Sequence, residues 1–205
     1  MIIEQPAEVF RWLYPNALWR MDRNKKEVYL TFDDGPIPEA TPYILDVLEN
    51  LDIKATFFMV ADNAQRYPHL LNEVRARGHR VGNHTFHHIH GLMYPWAAYI
   101  NNVLLAEELL QSDKLFRPPH GWINPKVCQK LNAMGWRIVM WDIVTRDYSN
   151  RLTADQILNN VRKYVRNGSI ITFHDSLKSI DKLKLMLPET LSWLKGQGYE
   201  FKVFD

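Results

Sequence analysis

Glu27-Val28-Tyr29-Leu30-Thr31-Phe32-Asp33-Asp34-Gly35-Pro36 is the stretch whose reading decides the fold. Its first six residues are rich in β-branched and aromatic side chains and too few for a helix, which predicts a buried strand, and Gly35-Pro36 ends it in a turn. Two adjacent carboxylates, Asp33 and Asp34, are thereby delivered at the carboxyl end of a strand, the edge on which α/β proteins place their chemistry. Taken alone, the same residues also describe a solvated acidic turn, and the rest of the chain has to decide.

Outward from this strand, helical and strand patterns alternate. Ile44, Leu45, Val47, Leu48 and Leu51 make a helical face, and 55–60 reads as a second strand. A helix is expected from about Ala64 to Arg77, stopped by Gly78, followed by a short strand at 80–83. A longer helix spans 96–110, a fourth strand 115–117 is cut by Pro118-Pro119, and Asn124-Pro125 opens a helix that Gly135 closes. Strands at 137–141, 169–173 and 200–204, with helices from Thr153 to about Val165 and from 183 to 195, complete the pattern. This spacing argues a parallel sheet with crossover helices. About seven such units predict an α/β fold that closes as an irregular (β/α) barrel, with a doubly wound open sheet as the alternative. Residues 1–26 carry Val9, Phe10, Trp12, Leu13, Leu18, Trp19 and Met21, too apolar for a loose tail, so they are expected to form an extension packed on a single catalytic domain at 27–205.

Composition narrows the function classes. Among 205 residues, 25 Lys and Arg face 23 Asp and Glu, and no basic block interleaves with aromatics, so nucleic acid is not an expected partner. The single Cys128 excludes an intrachain disulfide and a Cys-rich zinc cluster. No apolar run approaches the length of a membrane span, and the amino terminus lacks the basic start and long apolar core of a secretory signal. A cytoplasmic location is the expectation from these features.

The polar residues fall at strand ends. The third strand runs into Asn83-His84-Thr85-Phe86-His87-His88-Ile89-His90, with four of the 8 histidines. His84 and His88 stand four apart and can meet one ion if the segment turns helically; His84 with His87 would also reach. Two imidazoles and one carboxylate, from Asp33 or Asp34, leave positions open for water and substrate. Adjacent carboxylates can then divide the work, one on the ion and one taking a proton from the attacking water. Arg117, before Pro118-Pro119-His120, can hold a carboxylate ionised, and the prolines can aim a following N–H at a developing oxyanion. His174 ends the sixth strand, where an acid such as Asp147 would raise its pKa and make it a proton donor.

With these residues in order, the chain resembles the polysaccharide deacetylases, metal-dependent carbohydrate esterases that include chitin and peptidoglycan deacetylases. Five motifs carry the resemblance: Thr31-Phe32-Asp33-Asp34-Gly35-Pro36, His84-Thr85-Phe86-His87-His88, Arg117-Pro118-Pro119-His120, Asp147-Tyr148 and Thr172-Phe173-His174. They span about seventy per cent of the chain. The resemblance implies Asp33 as general base, Asp34, His84 and His88 as metal ligands, Arg117 as the residue orienting the base, and Asp147 as tuning His174, the general acid. It implies a divalent metal, zinc foremost with cobalt, nickel or manganese as the other candidates, and hydrolysis of an N-acyl amide, N-acetyl foremost, on an amino sugar or glycan. Pro119, His120, Tyr148 and Thr172 are the implied substrate-binding residues. His120 stands where Tyr is usual, Tyr148 where Trp is usual and Thr172 where Leu is usual, so a more polar or differently shaped acyl pocket is expected. Two rivals follow: a same-fold hydrolase of another amide, such as a deformylase, and a metal-free sugar-binding relative. Substrate choice is expected to lie in loops 90–97, 120–125 and 145–152.

Overall fold

The computed structural model describes residues 4–6 and 8–204, and of residues 8–10 the backbone alone. The expectations for residues 1–3 and 7, and for the packing of Val9 and Phe10, lie outside the described residues. The chain runs α1 (Glu8–Leu13), β1 (Glu27–Asp33), α2 (Thr41–Asn50), β2 (Thr56–Met59), α3 (Ala61–Arg66), α4 (Pro68–Ala76) and β3 (Arg80–Asn83). It continues through α5 (Trp96–Leu110), β4 (Leu115–Phe116), a 3-10 turn (Pro119–Gly121), α6 (Pro125–Ala133), β5 (Arg137–Ile138) and β6 (Ile143–Val144). It ends with α7 (Ala154–Tyr164), β7 (Ser169–His174), α8 (Ile180–Gly196) and β8 (Glu200–Lys202).

Every strand pairing is parallel, and the order is β5-β4-β3-β2-β1-β7-β6, with β8 beside the first half of β1. That order is cyclic: strands one to five follow one another around one side, and six and seven return to strand one on the other. An open doubly wound sheet would reverse at a switch point instead, so the fold is the irregular barrel. The seam lies between β5 and β6, whose strands do not pair with each other. Residues 18–21 strap its lower end: Leu18 N–H donates to Ile138 O at 2.8 Å, Met140 N–H to Leu18 O at 2.8 Å, and Met21 N–H to Gly168 O at 2.8 Å.

Alternation along the strands sorts the side chains. Val28, Leu30 and Phe32 of β1, Phe57 and Met59 of β2, and Ile171 and Phe173 of β7 join the large core shared with α2, α7 and α8. Phe32 stacks on Phe57 and Phe173 at 5.1 and 5.6 Å between ring centres. The intervening residues, Tyr29, Phe58 and Ile170, pack in a separate inner cluster with Leu115, Val139 and Phe204. Two-residue periodicity continues the inner face from Tyr29 through Thr31 to Asp33 and from Ile170 through Thr172 to His174. The register pairs Asp33 with His174 directly, so two chemical groups end neighbouring strands on the same face.

Two local expectations are corrected. The helix expected over 64–77 is two, because Pro68 forces Tyr67 out of the helical region (φ −125°, ψ 61°) and opens α4 as its first residue. The strand expected over 137–141 is only β5; Val139 and Met140 bond to Leu18 and Phe116 in the strap region, and a further two-residue strand, β6, follows. The total is eight strands among the described residues, seven in the path and β8 beside it.

Below β6, Asp142 is fully buried and gathers the fold's lower end. It accepts from Arg166 Nη2 at 2.6 Å and Nε at 3.0 Å, Ser169 Oγ at 2.8 Å and Arg11 Nη2 at 2.9 Å, which hold its carboxyl below the usual range despite burial. Asp142→Ala is expected to cost about 2–4 kcal/mol, since it strips charge partners from two arginines at once. Urea denaturation of the two proteins measures it; a difference under about 0.5 kcal/mol would mean that the strap holds without this knot.

Candidate active site

The turn after β1 is built around a non-glycine residue in a conformation reserved largely for glycine. Asp34 has φ 84°, which costs on the order of 1–3 kcal/mol and persists only where the surroundings impose it. His88 and His120 share positive φ values of 53° and 59°, as does Thr85 next to His84 at 66°, and Asp34, His84, His88 and His120 line one cleft of about 1010 Å³. That cleft is lined by Asp33, Asp34, His84, His88, His120, Tyr148, Thr172 and His174, among others.

Asp34, His84 and His88 converge with one ligand atom each within 4.8 Å of the others. His88 Nε2 lies 3.1 Å and His84 Nε2 3.7 Å from Asp34 Oδ1. The segment from His84 to His88 is not helical; left-handed residues at Thr85 and His88 bring the rings together instead. His87 turns away, with Nδ1 2.8 Å from Asn102 Nδ2 of α5, and Asn102 Oδ1 accepts the backbone N–H groups of Phe86 and His87. His84 Nδ1 meets the Arg117 carbonyl at 2.8 Å, which makes it the protonated nitrogen and leaves the Nε2 lone pair toward Asp34. Burial, with His88 adding to it, holds His84 well below the ordinary imidazole pKa, so the ring is neutral as a ligand must be. Asp34 is held below the usual carboxylate range, its burial outweighed by the His88 hydrogen bond and neighbouring imidazoles. One carboxylate and two imidazoles fit a zinc-like divalent ion with positions left open.

Arg117 is fully buried inside the barrel, its guanidinium 4.1 Å from the Phe58 ring centre. It donates to Asp33 Oδ1 at 2.6 Å, Thr31 Oγ1 at 2.7 Å, Met140 O at 2.8 Å and Val139 O at 3.2 Å. Burial pushes the Asp33 carboxyl up, making it a stronger base than a solvated one, while the arginine opposes that shift and holds it ionised. One residue thus orients the Asp33 carboxylate through its side chain and the His84 ring through its carbonyl.

His174 receives a two-point grip from the fully buried Asp147. Oδ2 accepts its backbone N–H at 2.8 Å and Oδ1 meets ring Nδ1 at 2.7 Å. Lys182 of α8 fixes the supporting loop through the Asp147 and Ser149 carbonyls, at 3.0 and 2.6 Å. Burial disfavours the imidazolium, but Asp147, helped by Asp34 and Asp33, lifts its pKa to about 9. Tyr148 packs edge-on against the His174 ring at 4.7 Å.

The four implied substrate residues fall unevenly. Tyr148, His120 and Thr172 line the cleft, whereas Pro119, in the 3-10 turn, is not among its lining residues and Pro118 lines it in its place. Thr172 does not present its hydroxyl as a polar patch: Oγ1 is 3.0 Å from Thr31 Oγ1, inside the barrel, and the residue is 1% exposed. Thr31 already accepts from Arg117 and donates to Ile171 O at 3.1 Å, so Thr172 is the donor to Thr31. His120 stacks near His90 at 5.4 Å and meets His88 edge-on at 4.7 Å; burial and those two rings lower its pKa. Trp141 and Trp122 add aromatic wall, with Trp141 lying over Gly121, where a Cβ would come within 2.2 Å of the ring. Asn102 and Lys182 carry no sequence signal that distinguishes them from other residues on a helix surface, and Trp141, at the end of the strand expected over 137–141, carries none that assigns it a role.

Comparison with known proteins agrees with this geometry. The polysaccharide deacetylase family model matches residues 20–139. A peptidoglycan-N-acetylglucosamine deacetylase of Bacillus cereus is 35% identical over 189 residues, 89% of this chain and 88% of that protein. A chitooligosaccharide deacetylase of Azorhizobium caulinodans is 30% identical over 162 residues, 76% of this chain and 77% of that one. Among solved structures, a peptidoglycan N-acetylglucosamine deacetylase bound to an N-oxidanyl-benzamide superposes with a TM-score of 0.85 at 33% identity, covering 95% of this chain and 94% of the other. The chain belongs to the polysaccharide deacetylase family.

Proposed function

We propose that the protein is a metal-dependent N-deacetylase of amino-sugar glycans, with zinc as its ion. One observation carries the reading: a carboxylate on an arginine, an Asp-His-His triad and a His-Asp pair face one another across a single cleft. The names of its relatives, which act on N-acetylglucosamine in peptidoglycan or on chitooligosaccharides, support the substrate class.

A divalent ion held by Asp34, His84 and His88 would supply Lewis acidity to the acyl oxygen and the attacking water. Asp33, kept ionised by Arg117, takes a proton as the water oxygen bonds to the acyl carbon. The His120 N–H, at the kinked turn after Pro118-Pro119, is the chain's own donor toward the oxyanion, a role worth about 3–4 kcal/mol where geometry is good. His174, with Nδ1 occupied by Asp147, presents Nε2 to the leaving nitrogen and gives it a proton as the carbon–nitrogen bond breaks. The products are a carboxylate and a free amine. Tyr148, packed against the His174 ring, and Val144 line the part of the cleft in which the acyl methyl would lie.

A panel of N-acetyl and N-formyl sugars and simple amides tests the substrate class. Acetate release from N-acetylglucosamine oligomers is expected; formate release alone would favour the small-amide hydrolase, and saccharide binding without turnover in zinc the sugar-binding relative.

The acid role makes a pH prediction. The His174 imidazolium persists up to about pH 9 in the metal-free protein, and NMR titration of its ring follows this directly. Asp147→Asn removes the main counter-charge but leaves the burial, with only Asp34 and Asp33 still opposing it, so the ring is expected to titrate well below about 9 and turnover at neutral pH to fall about 10²–10⁴-fold. A ring titrating unchanged in that variant would contradict the pairing. The sign for stability follows: a raised folded-state pKa stabilises fully below 6.5, and the contribution is lost as pH rises through about 9.

A further inference from the structure

The peptide unit joining Asp34 to Gly35 is gripped from both sides by side chains of two other elements. Asn63, in α3, donates Nδ2–H to the Asp34 carbonyl at 2.8 Å. Asp175, just past β7, accepts the Gly35 N–H on Oδ1 at 2.8 Å, and its Oδ2 accepts from Thr41 Oγ1 at 2.9 Å. The backbone on either side is tied as well: Asp175 N–H donates to Asp33 O at 2.9 Å and Val60 N–H to Gly35 O at 2.9 Å. The contact is close enough that a Cβ at Gly35 would lie 1.8 Å from Asp175 Oδ2. Asn63 falls outside the five motifs and Asp175 directly follows the last of them.

The ties on Asp33 O, Asp34 O, Gly35 N–H and Gly35 O together fix the course of the backbone through Asp34, and a change in that course would move the Cα that carries its carboxylate away from His84 and His88. With φ at 84°, Asp34 has no intrinsic reason to stay where it is. A hydrogen bond on the carbonyl and another on the N–H of the same peptide fix its plane, which neither achieves by itself.

We infer that Asn63 and Asp175 are positioning residues for the metal-ligand carboxylate, clamping the Asp34–Gly35 peptide so that Asp34 meets the two histidines. The inference rests on the metal reading of Asp34, His84 and His88. It requires only an acceptor opposite Gly35 N–H and a donor opposite Asp34 O. An asparagine at 175 keeps the acceptor, and its amide can donate to a rotated Thr41 hydroxyl.

Zinc affinity, measured by competition with a chromophoric chelator on the full chain, tests it without recourse to turnover. Asn63→Ala and Asp175→Ala are each expected to bind zinc about 10–100-fold more weakly than the parent. Asp175→Asn is expected to stay within about threefold, a rescue that general damage to the fold would not give. Asp175→Ala removes a buried group and can unfold the chain; Asn63, partly exposed on α3, then decides alone. Parent-like zinc affinity in Asn63→Ala, with the parent binding zinc tightly, overturns the clamp and leaves the metal site standing. A parent that binds no zinc, or binds it equally after His84→Ala and His88→Ala, overturns the metal reading and the clamp with it.

Discussion

Asp33→Asn is expected to lower kcat by about 10²–10⁴-fold while zinc binds as in the parent. The amide keeps the shape of the carboxylate and an oxygen for Arg117 Nη1, 2.6 Å away, but has no proton affinity to offer the attacking water. Asp33 contributes no atom to the Asp34, His84 and His88 group, so chelator competition should return the parent's affinity. The separation of the two readouts is the content of the prediction. Full turnover in Asp33→Asn would mean that another group is the base, and loss of zinc would mean that the two carboxylates divide the work the other way.

The second large effect is expected at Arg117, and it joins stability to catalysis. Arg117→Ala leaves the Asp33 carboxylate buried at 3% exposure without its counter-ion, strips donors from Thr31 and from the Val139 and Met140 carbonyls, and opens space over Phe58. Removing one partner of a buried pair costs about 3–5 kcal/mol, a fall in Tm on the order of 10 °C for a domain of this size. Arg117→Lys keeps the charge but cannot span Asp33, Thr31 and two carbonyls from one plane, so it is expected to recover part of the stability and little of the turnover. Calorimetry with initial rates on the three proteins checks both halves. A lysine variant with parental kcat would show that charge alone, rather than the fork, serves Asp33.

Much of this was legible because it depends on local signals. The β1 stretch, the helix opening at Asn124-Pro125 and the alternation of strand and helix are written in periodicity and turn residues, and the barrel follows from their number. The capping box that Thr153 closes with Gln156, at the expected start of this helix, is equally local. The five motifs fall on one cleft because parallel strands all end on the same edge, so a polar residue at each strand end is already a spatial statement.

What escaped is long-range or too short to have a period. β6 has two residues, and no alternation can be read from two. The strap at 18–21 bonds to residues more than a hundred positions away, so its apolar content signalled packing but not where. The helix break at Tyr67 was written in Pro68, and the apolar spacing of Leu70, Leu71 and Val74 masked it. Asn63, Asn102 and Asp175 act through a few hydrogen bonds, mostly to backbone groups far away in sequence, and an Asn or Asp on a helix or after a strand has many ordinary uses. Tyr148 and Thr172 were expected to make the acyl pocket more polar or differently shaped; the Thr172 hydroxyl is bonded to Thr31 inside the barrel.

Activity as a function of zinc occupancy tests the central claim most directly. Protein stripped with a chelator and reloaded in steps, with acetate release from N-acetylglucosamine oligomers followed at each step, is expected to gain turnover in proportion to bound zinc and to saturate at one ion per chain. His84→Ala should show neither the binding nor the gain. Turnover that persists at zero occupancy, or that ignores the loss of His84, would contradict the account.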